Sequence, residues 1–222
     1  MTGAAVVVPA RDEEETLPGL LAALPSSAVD RVLVVDNGSR DATARVAREG
    51  GARVVDEPAG GYGRACRRGL EVLAASDRPP TLVAVLDADD PPAARRLERL
   101  LEPLVRDRAD LVRGRRRPTA EGRGVPAHAA LGNAAVAAAL RGLWGAPVRD
   151  VGPARAARLD GLLALGLDDP DFGWNVQMDV RALRAGWRLL EVPLPHRGRR
   201  AGRSKISGTV AGSVRAAAGM LA

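Results

Sequence analysis

The sequence predicts one α/β domain built on a mostly parallel central sheet, and three observations predict it. Short apolar β-type runs alternate with helical segments four times within the first half of the chain, and two of those segments carry leucines at helical spacing. The run Leu82-Val83-Ala84-Val85-Leu86 is apolar at consecutive positions, as a parallel strand covered on both faces requires. A chain of 222 residues with 46% hydrophobic and 27% charged residues can bury a sizeable core without needing a second domain. The span 1–222 is therefore read as a single domain, with a regular half at about 1–115 and a less regular half at about 116–222.

Residues 4–8 read as a buried strand that ends in a turn at Pro9. Leu17, Leu20, Leu21 and Leu24 then mark one face of a helix, with Glu13 to Glu15 placed in its first turn, where acids favour the helix dipole. A second strand covers 31–35, followed by Asp36-Asn37-Gly38-Ser39 and a helix to about Arg48. A third strand covers 52–56, a glycine-rich loop 58–63, and a helix runs on to about Ala75. After the strand at 81–86, Leu97, Leu100, Leu101 and Leu104 repeat the helical spacing, and a strand follows at 110–113. The Arg/Gly/Pro stretch 113–126 reads as a loop. An Ala-rich helix at 128–144, a helix near 172–185, a strand at 187–193 and a basic loop at 196–205 complete the chain.

Composition narrows the function. The net charge is +6, with Lys and Arg totalling 33 and Lys205 the single lysine, which suits phosphate-bearing partners. Aromatic residues are only 2%, so nucleic-acid binding by base stacking on the arginines of 113–123 is not expected. The lone Cys66 forms no intramolecular disulfide and fits a reducing, cytoplasmic setting. Met1 to Gly3 lead straight into an apolar strand, so no signal peptide is expected. No apolar run reaches the roughly 18–20 residues that span a bilayer, which leaves at most peripheral contact with its inner face.

In an open α/β sheet, ligands bind beyond the carboxyl ends of the strands. Four polar clusters fall at such ends: Pro9-Ala10-Arg11-Asp12-Glu13, Asp36-Asn37-Gly38-Ser39, Gly60-Gly61-Tyr62-Gly63 and Asp87-Ala88-Asp89-Asp90. Asp87 and Asp89 lie one residue apart on an extended segment, and two such carboxylates stay ionised cheaply only with a cation or many donors nearby. A divalent Mg2+ or Mn2+ bridging them to a diphosphate resolves the repulsion, and such ions take only one or two protein carboxylates. The alternative is that Asp-Ala-Asp-Asp-Pro-Pro is a turn and helix cap. The glycines at 60–63 would let backbone approach a phosphate, with Gly63 and Arg64 contributing; equally they could form a tight turn. No Walker-type Gly-Lys-Ser/Thr is present, and no Gly-x-Gly-x-x-Gly follows the first strand.

Val7-Val8-Pro9-Ala10-Arg11-Asp12-Glu13-Glu14, Val34-Val35-Asp36-Asn37-Gly38-Ser39-Arg40-Asp41 and Leu86-Asp87-Ala88-Asp89 resemble the signatures of family 2 glycosyltransferases with the GT-A fold. Asp150-Val151-Gly152-Pro153-Ala154-Arg155, Gly173-Trp174 and Gly202-Arg203-Ser204-Lys205-Ile206-Ser207-Gly208 resemble the dolichyl-phosphate mannose synthase-like branch. The resemblance implies metal-dependent, inverting transfer from a nucleoside diphosphate sugar to a phosphate or hydroxyl acceptor, such as a polyprenyl phosphate or a soluble small molecule. It places the nucleoside against Pro9, Ala10, Arg11, Glu13, Asp36 and Asn37 in the first half. The diphosphate and metal fall at Asp87, Ala88 and Asp89, under a closing loop that carries Arg203, Ser204 and Lys205. It places the acceptor against Arg113, Arg115, Trp174 and Gln177.

The chain departs from the family at three positions. Arg11-Asp12 replaces a usual Tyr-Asn, so a guanidinium must do the base stacking. Asn37 replaces a frequent Asp, and Gln177 stands where Glu is common. An anionic phosphate acceptor needs no general base; for a hydroxyl acceptor, Asp90, Asp171 and Asp179 are the candidates. Asp179 borders the apolar face of Val176, Val180 and Leu183, where a partner for an arginine is the simpler role. Of the two histidines, His128 and His196, the second is placed near the acceptor, and Cys66 is expected to pack in the core. A sugar-phosphate nucleotidyltransferase would need a glycine-rich basic loop after the first strand, which is absent. A nucleotide-sugar-binding protein without turnover is the remaining alternative.

Overall fold

The computed structural model describes residues 3–118 and 127–196; side chains at 118, 127–130 and 132 are not described. In chain order the elements are β1 (Ala4–Ala10), α1 (Leu17–Ala23), β2 (Arg31–Asp36), α2 (Thr43–Glu49), β3 (Arg53–Asp56), α3 (Tyr62–Ala74) and β4 (Leu82–Val85). Then follow α4 (Pro91–Ala94), α5 (Glu98–Val105), β5 (Leu111–Pro118), α6 (Ala127–Trp144), β6 (Arg155–Arg158), α7 (Leu159–Ala164), α8 (Gly173–Arg184) and β7 (Leu189–His196). All seven strands join one sheet in the order β3-β2-β1-β4-β6-β5-β7.

The chain winds outward from β1 through β2 to β3, then returns to β4 on the other side of β1. The strand order thus reverses between β1 and β4, the position where open α/β sheets open a crevice for ligands. These four strands are parallel, whereas β6 is antiparallel to both β4 and β5, and β5 and β7 are parallel to each other. Two reversals cancel, so β5 and β7 end on the same edge as β1 to β4.

Side-chain alternation sorts the sheet's residues into two layers. Val6, Val8, Val34, Leu82, Ala84 and Leu86 pack beneath α1, α2, α4 and α5, with Leu17, Leu20, Leu97, Leu100 and Leu104 filling that side. Ala5, Val7, Leu33, Val35, Val83 and Val85 pack beneath α3, α7 and α8, where Cys66, Leu70, Leu162, Trp174 and Met178 lie. Gly69 lets α3 settle onto the sheet: a Cβ there would stand 2.5 Å from a Val7 methyl. A smaller cluster joins α6 to α8 through Ala137, Leu140, Val176 and Val180.

The expected elements of the first half are all present, with shifts at their ends. The first helix starts at Leu17 with Thr16 at its N-cap, so Glu13 to Glu15 precede it rather than occupy its first turn. In the second half the arginine run 113–117 belongs to β5, because the β6 and β7 ladders capture it, and is not a loop. Residues 155–158 and 159–164 form β6 and α7, two elements not foreseen. The final strand runs to His196, and the basic loop beyond it lies outside the described residues.

Candidate active site at the crevice between β1 and β4

The polar clusters converge along the carboxyl edge. The backbone N–H of Asn37 donates to the Ala10 carbonyl at 2.8 Å, which continues the β1–β2 ladder into the two turns. Asp12 adopts φ +48° there. Its N–H donates to Ser39 Oγ at 3.0 Å, and its carboxylate accepts from the Arg40 N–H at 2.7 Å. Asp36 accepts from the Ser39 N–H at 2.9 Å, closing the turn after β2. Glu13, 9% exposed, is fixed through its N–H to Thr43 Oγ1 at 2.8 Å. Pro9 and Ala10 are buried, while Arg11 is exposed. Asn37 is 9% exposed and its Oδ1 has no hydrogen-bond partner. A buried acceptor left unpaired is costly, which marks it as an atom awaiting a donor.

The glycine loop has a different role from the one expected. A Cβ on Gly61 would lie 2.3 Å from the Pro170 carbonyl oxygen, and one on Gly63 would lie 2.1 Å from that of Asp169. The close approach that demands glycine is thus made by the chain's own backbone at 169–170, not left open for a phosphate. Arg64 is committed similarly, its N–H donating to Pro170 O at 3.1 Å and its Nη1 to Gly60 O at 2.9 Å. Gly60 still brings the third cluster to the first, since a Cβ on it would stand 3.7 Å from Arg11 Nη1.

Beyond β4, Leu86 and Ala88 are buried, whereas Asp87 and Asp89 are partly exposed at the crevice. Parity places Asp87 toward α3. Burial raises the Tyr62 hydroxyl and the Cys66 thiol well above their usual ranges, and the Asp87 charge adds to both shifts. Cys66 is buried, as expected of a packing residue. Asp90 does cap a helix: it precedes α4 and accepts from the Ala93 N–H at 3.3 Å. Its other oxygen lies 2.8 Å from His196 Nδ1, so Asp90 is occupied twice and is not placed to serve as a base. This histidine partner, 106 positions away, was not foreseen.

The acceptor-side expectations need larger corrections. Arg113 is 1% exposed and Asp179 is 0% exposed. Arg113 Nε approaches Asp179 Oδ1 at 3.1 Å, and Arg155, also buried, bonds the same oxygen. Burial pushes the Arg113 guanidinium down to about 10, against the opposing pull of Asp179. Asp179 is therefore the counter-ion of two buried arginines, the simpler of its expected roles, and solvent cannot reach it. Trp174 is fully buried, in edge contact with Tyr62, and belongs to the core rather than to an acceptor surface. Gln177 braces the loop before α8, its Oε1 accepting from the N–H groups of Asp168 and Asp169 at 2.9 and 3.0 Å.

Arg115 keeps partial exposure, 3.7 Å from Glu191. Its neighbour Arg116, passed over in the sequence, is part-buried beside it on β5. Arg116 Nη2 and Nε bond the two oxygens of Asp150 at 2.7 and 3.1 Å. Burial alone would lower the Arg116 pKa, but Asp150, with Asp87 and Asp90, raises it overall. Asp150 is likewise opposed by burial yet held below the usual carboxylate range by Arg116. Reading 111–118 as a strand would have separated inward Arg113 from Arg116 by parity. Arg203, Ser204 and Lys205 lie outside the described residues.

Asp87 and Asp89 would supply two hard oxygen donors on one turn, a donor set that fits a divalent cation. Among the described residues no group of three His, Cys, Asp or Glu side chains forms a closed metal cage.

Comparison with known proteins agrees with this geometry. The sequence model of glycosyl transferase family 2 matches residues 5–142. An uncharacterised glycosyltransferase of Mycobacterium tuberculosis is 45% identical over 209 residues, 94% of this chain and 92% of its own length. The undecaprenyl-phosphate mannosyltransferase of Micrococcus luteus is 33% identical over 222 residues, covering 93% and 88% of the two chains. Among solved structures, glucosyl-3-phosphoglycerate synthase from Mycobacterium tuberculosis, in complex with Mn2+, UDP and glucosyl-3-phosphoglycerate, superposes with a TM-score of 0.76 at 25% identity. That match covers 98% of this chain and 79% of the other. With its reversal crevice, its Asp-Ala-Asp turn and these relatives, the chain belongs to glycosyl transferase family 2 and is a glycosyltransferase of the GT-A fold.

Proposed function

We propose that this enzyme transfers a glycosyl group from a nucleoside diphosphate sugar to a phosphate acceptor, with inversion at the anomeric carbon. The observation that carries the reading is the position of Asp87 and Asp89 at the end of β4, beside the β1 turn where the strand order reverses. The related synthase bound to UDP and Mn2+ supports a donor of this class.

In this reading Pro9, Ala10, Arg11, Glu13, Asp36 and Asn37 receive the nucleoside, and the unpaired Asn37 Oδ1 accepts from a base N–H. Asp87 and Asp89 would hold Mg2+ or Mn2+, which would supply positive charge against the departing diphosphate. The acceptor oxygen attacks the anomeric carbon opposite the diphosphate; the new C–O bond forms as the C–O bond to the β-phosphate breaks. His196, held against Asp90, sets where the chain leaves β7. Arg203, Ser204 and Lys205, which follow it in the sequence, supply cationic and hydroxyl groups for the donor's phosphates.

A phosphate acceptor is favoured because the expected bases are otherwise engaged. Asp179 neutralises two arginines, Asp90 caps α4 and meets His196, and Asp171 accepts from the Tyr62 N–H at 3.4 Å. A phosphate arrives already ionised and needs none of them. Arg115 and Arg116 lie on the strand that ends at the same edge and supply its counter-charge.

The test is Asp89→Ala. Calorimetric titration with UDP-glucose and GDP-mannose, with and without Mn2+, should lose metal-dependent binding while the circular dichroism spectrum stays native. Undiminished metal-dependent binding in the variant would refute the metal role. Transfer assays with polyprenyl phosphate, phosphoglyceric acid and neutral sugars then separate phosphate from hydroxyl acceptors, and transfer confined to neutral sugars defeats the acceptor reading.

A further inference from the structure

Residues 145–154 form neither helix nor strand, yet their backbone at 149–151 is fastened by side chains from three separate elements. Glu191 of β7 accepts from the N–H groups of Arg149 and Asp150 at 2.8 and 3.0 Å. Arg113 of β5 donates to the Asp150 carbonyl at 3.0 Å, and Asn133 of α6 accepts from the Val151 N–H at 2.7 Å. A Cβ on Gly152 would stand 2.6 Å from the Gly114 carbonyl oxygen, so the segment also lies close against β5. An irregular connection ordinarily leaves such groups to water. Here side chains hold them, and the residue at their centre is Asp150.

The Asp150 carboxylate in turn holds Arg116 at both ends. Its Oδ2 accepts from the Arg116 N–H at 2.7 Å and from Nε at 3.1 Å, and its Oδ1 accepts from Nη2 at 2.7 Å. Backbone and guanidinium thus meet one carboxylate, which fixes the side-chain torsions between them. Asn133 Oδ1 accepts from the same Nη2 at 3.4 Å. Nη1 keeps contact with solvent and makes no hydrogen bond among the described residues. Burial opposes the Arg116 charge, Asp150 outweighs it, and Asp87 and Asp90 add to the effect, so the guanidinium lies within electrostatic range of the β4 edge. An ion pair with its arginine 23% exposed contributes little to stability by itself. The hydrogen bonds that fasten Asp150 are therefore explained by orientation.

We propose that Asp150, assisted by Asn133, is a positioning residue for the acceptor: it locks the Nε–Nη2 edge of Arg116 and leaves Nη1 to bind the acceptor's phosphate. The identity of that ligand rests on the phosphate-acceptor reading; the locked geometry does not. A free arginine loses rotamer freedom when it binds an anion, whereas one already locked loses little. The lock strengthens acceptor binding without touching the reacting atoms, so it acts on KM rather than on kcat.

Two measurements on the full chain test this. Arginine Nε–H correlation spectra report the lock, with the Arg116 signal assigned by its loss in Arg116→Lys. That proton should exchange with water at least about tenfold faster in Asp150→Asn than in the wild type. Steady-state transfer to polyprenyl phosphate or phosphoglyceric acid reports the consequence. Asp150→Asn should raise the acceptor KM about tenfold, with kcat and donor KM changed by less than about twofold. Asn133→Ala should raise it about threefold, and Asn133→Asp, which keeps the accepting oxygen, should restore it. An unchanged Arg116 signal in Asp150→Asn, or an unchanged acceptor KM once the lock is lost, overturns the proposal. So does a joint loss of kcat, donor affinity and urea midpoint, which marks a merely structural role. Should Asp150→Asn not fold, the Asn133 pair decides: an unchanged KM in Asn133→Ala, or no restoration in Asn133→Asp, is equally fatal. If transfer runs only to neutral sugars and the same KM pattern appears with them, the positioning role stands and the phosphate-acceptor reading alone falls.

Discussion

Asn37 illustrates what a single atom contributes at this crevice. Its Oδ1 is buried and unpartnered, so the folded protein bears a desolvation cost that a donor's base can relieve. Asn37→Ala should therefore separate two properties that usually fall together. Donor affinity should drop by about 1–3 kcal/mol, roughly 5- to 150-fold, while urea stability holds or rises. Parallel losses in both would show that the side chain is structural. The sequence marked Asn37, Asp36, Asp87 and Asp89 because each follows an apolar strand directly, where position and chemistry are fixed together. It could not mark Arg116 over Arg113, since arginines of one short run, three positions apart, differ only by strand parity. Nor could it pair Asp90 with His196, because that contact exists only once β4 and β7 share an edge.

At the scale of elements, Asp179 of α8 ties together Arg113 of β5 and Arg155 of β6. Arg113 Nη2 continues the connection to the Asp150 carbonyl at 3.0 Å, and Asp150 in turn clamps Arg116. Asp179→Asn preserves shape but leaves two buried guanidiniums without their counter-charge, and should cost about 3–5 kcal/mol in urea unfolding. A variant of unchanged stability with reduced turnover would instead assign Asp179 to catalysis. This junction also explains which elements escaped the sequence. Arg155-Ala-Ala-Arg158 has no β-branched residue and no polar alternation, so its strand character comes entirely from its β4 and β5 neighbours. The arginines of β5 read as a loop for the same reason, because their charge is neutralised by residues distant in sequence. The first half declared itself because β1 and β4 are apolar on both faces and the helical segments at 17–24 and 97–104 keep leucine at regular spacing.

Across the whole molecule, charge and packing are divided unevenly. Among the described residues, the carboxylates held below their usual range are Asp110 by Arg188, Asp150 by Arg116 against the cost of burial, and Asp168 by Gln177 and Arg181. Asp150 and Asp168 belong to the second half, and Asp110 is held there by Arg188. A depressed folded pKa gives stability that is fully present above the unfolded value, about 3.9, and lost as pH falls through the folded one. Acidification below about pH 4 should thus loosen the second half first. Trp144, Trp174 and Trp187 all lie there, so tryptophan fluorescence should shift before far-UV circular dichroism falls. Coincident transitions would disprove the asymmetry. The two halves nonetheless meet at one intimate seam: at positions 61 and 63 no side chain fits, because the backbone of 169–170 occupies the space. The loop entering α3 and the loop entering α8 are therefore cut to each other's outline. A chimera that takes its first half from this enzyme and its second from a relative inherits a misfit there unless both loops are grafted as a pair.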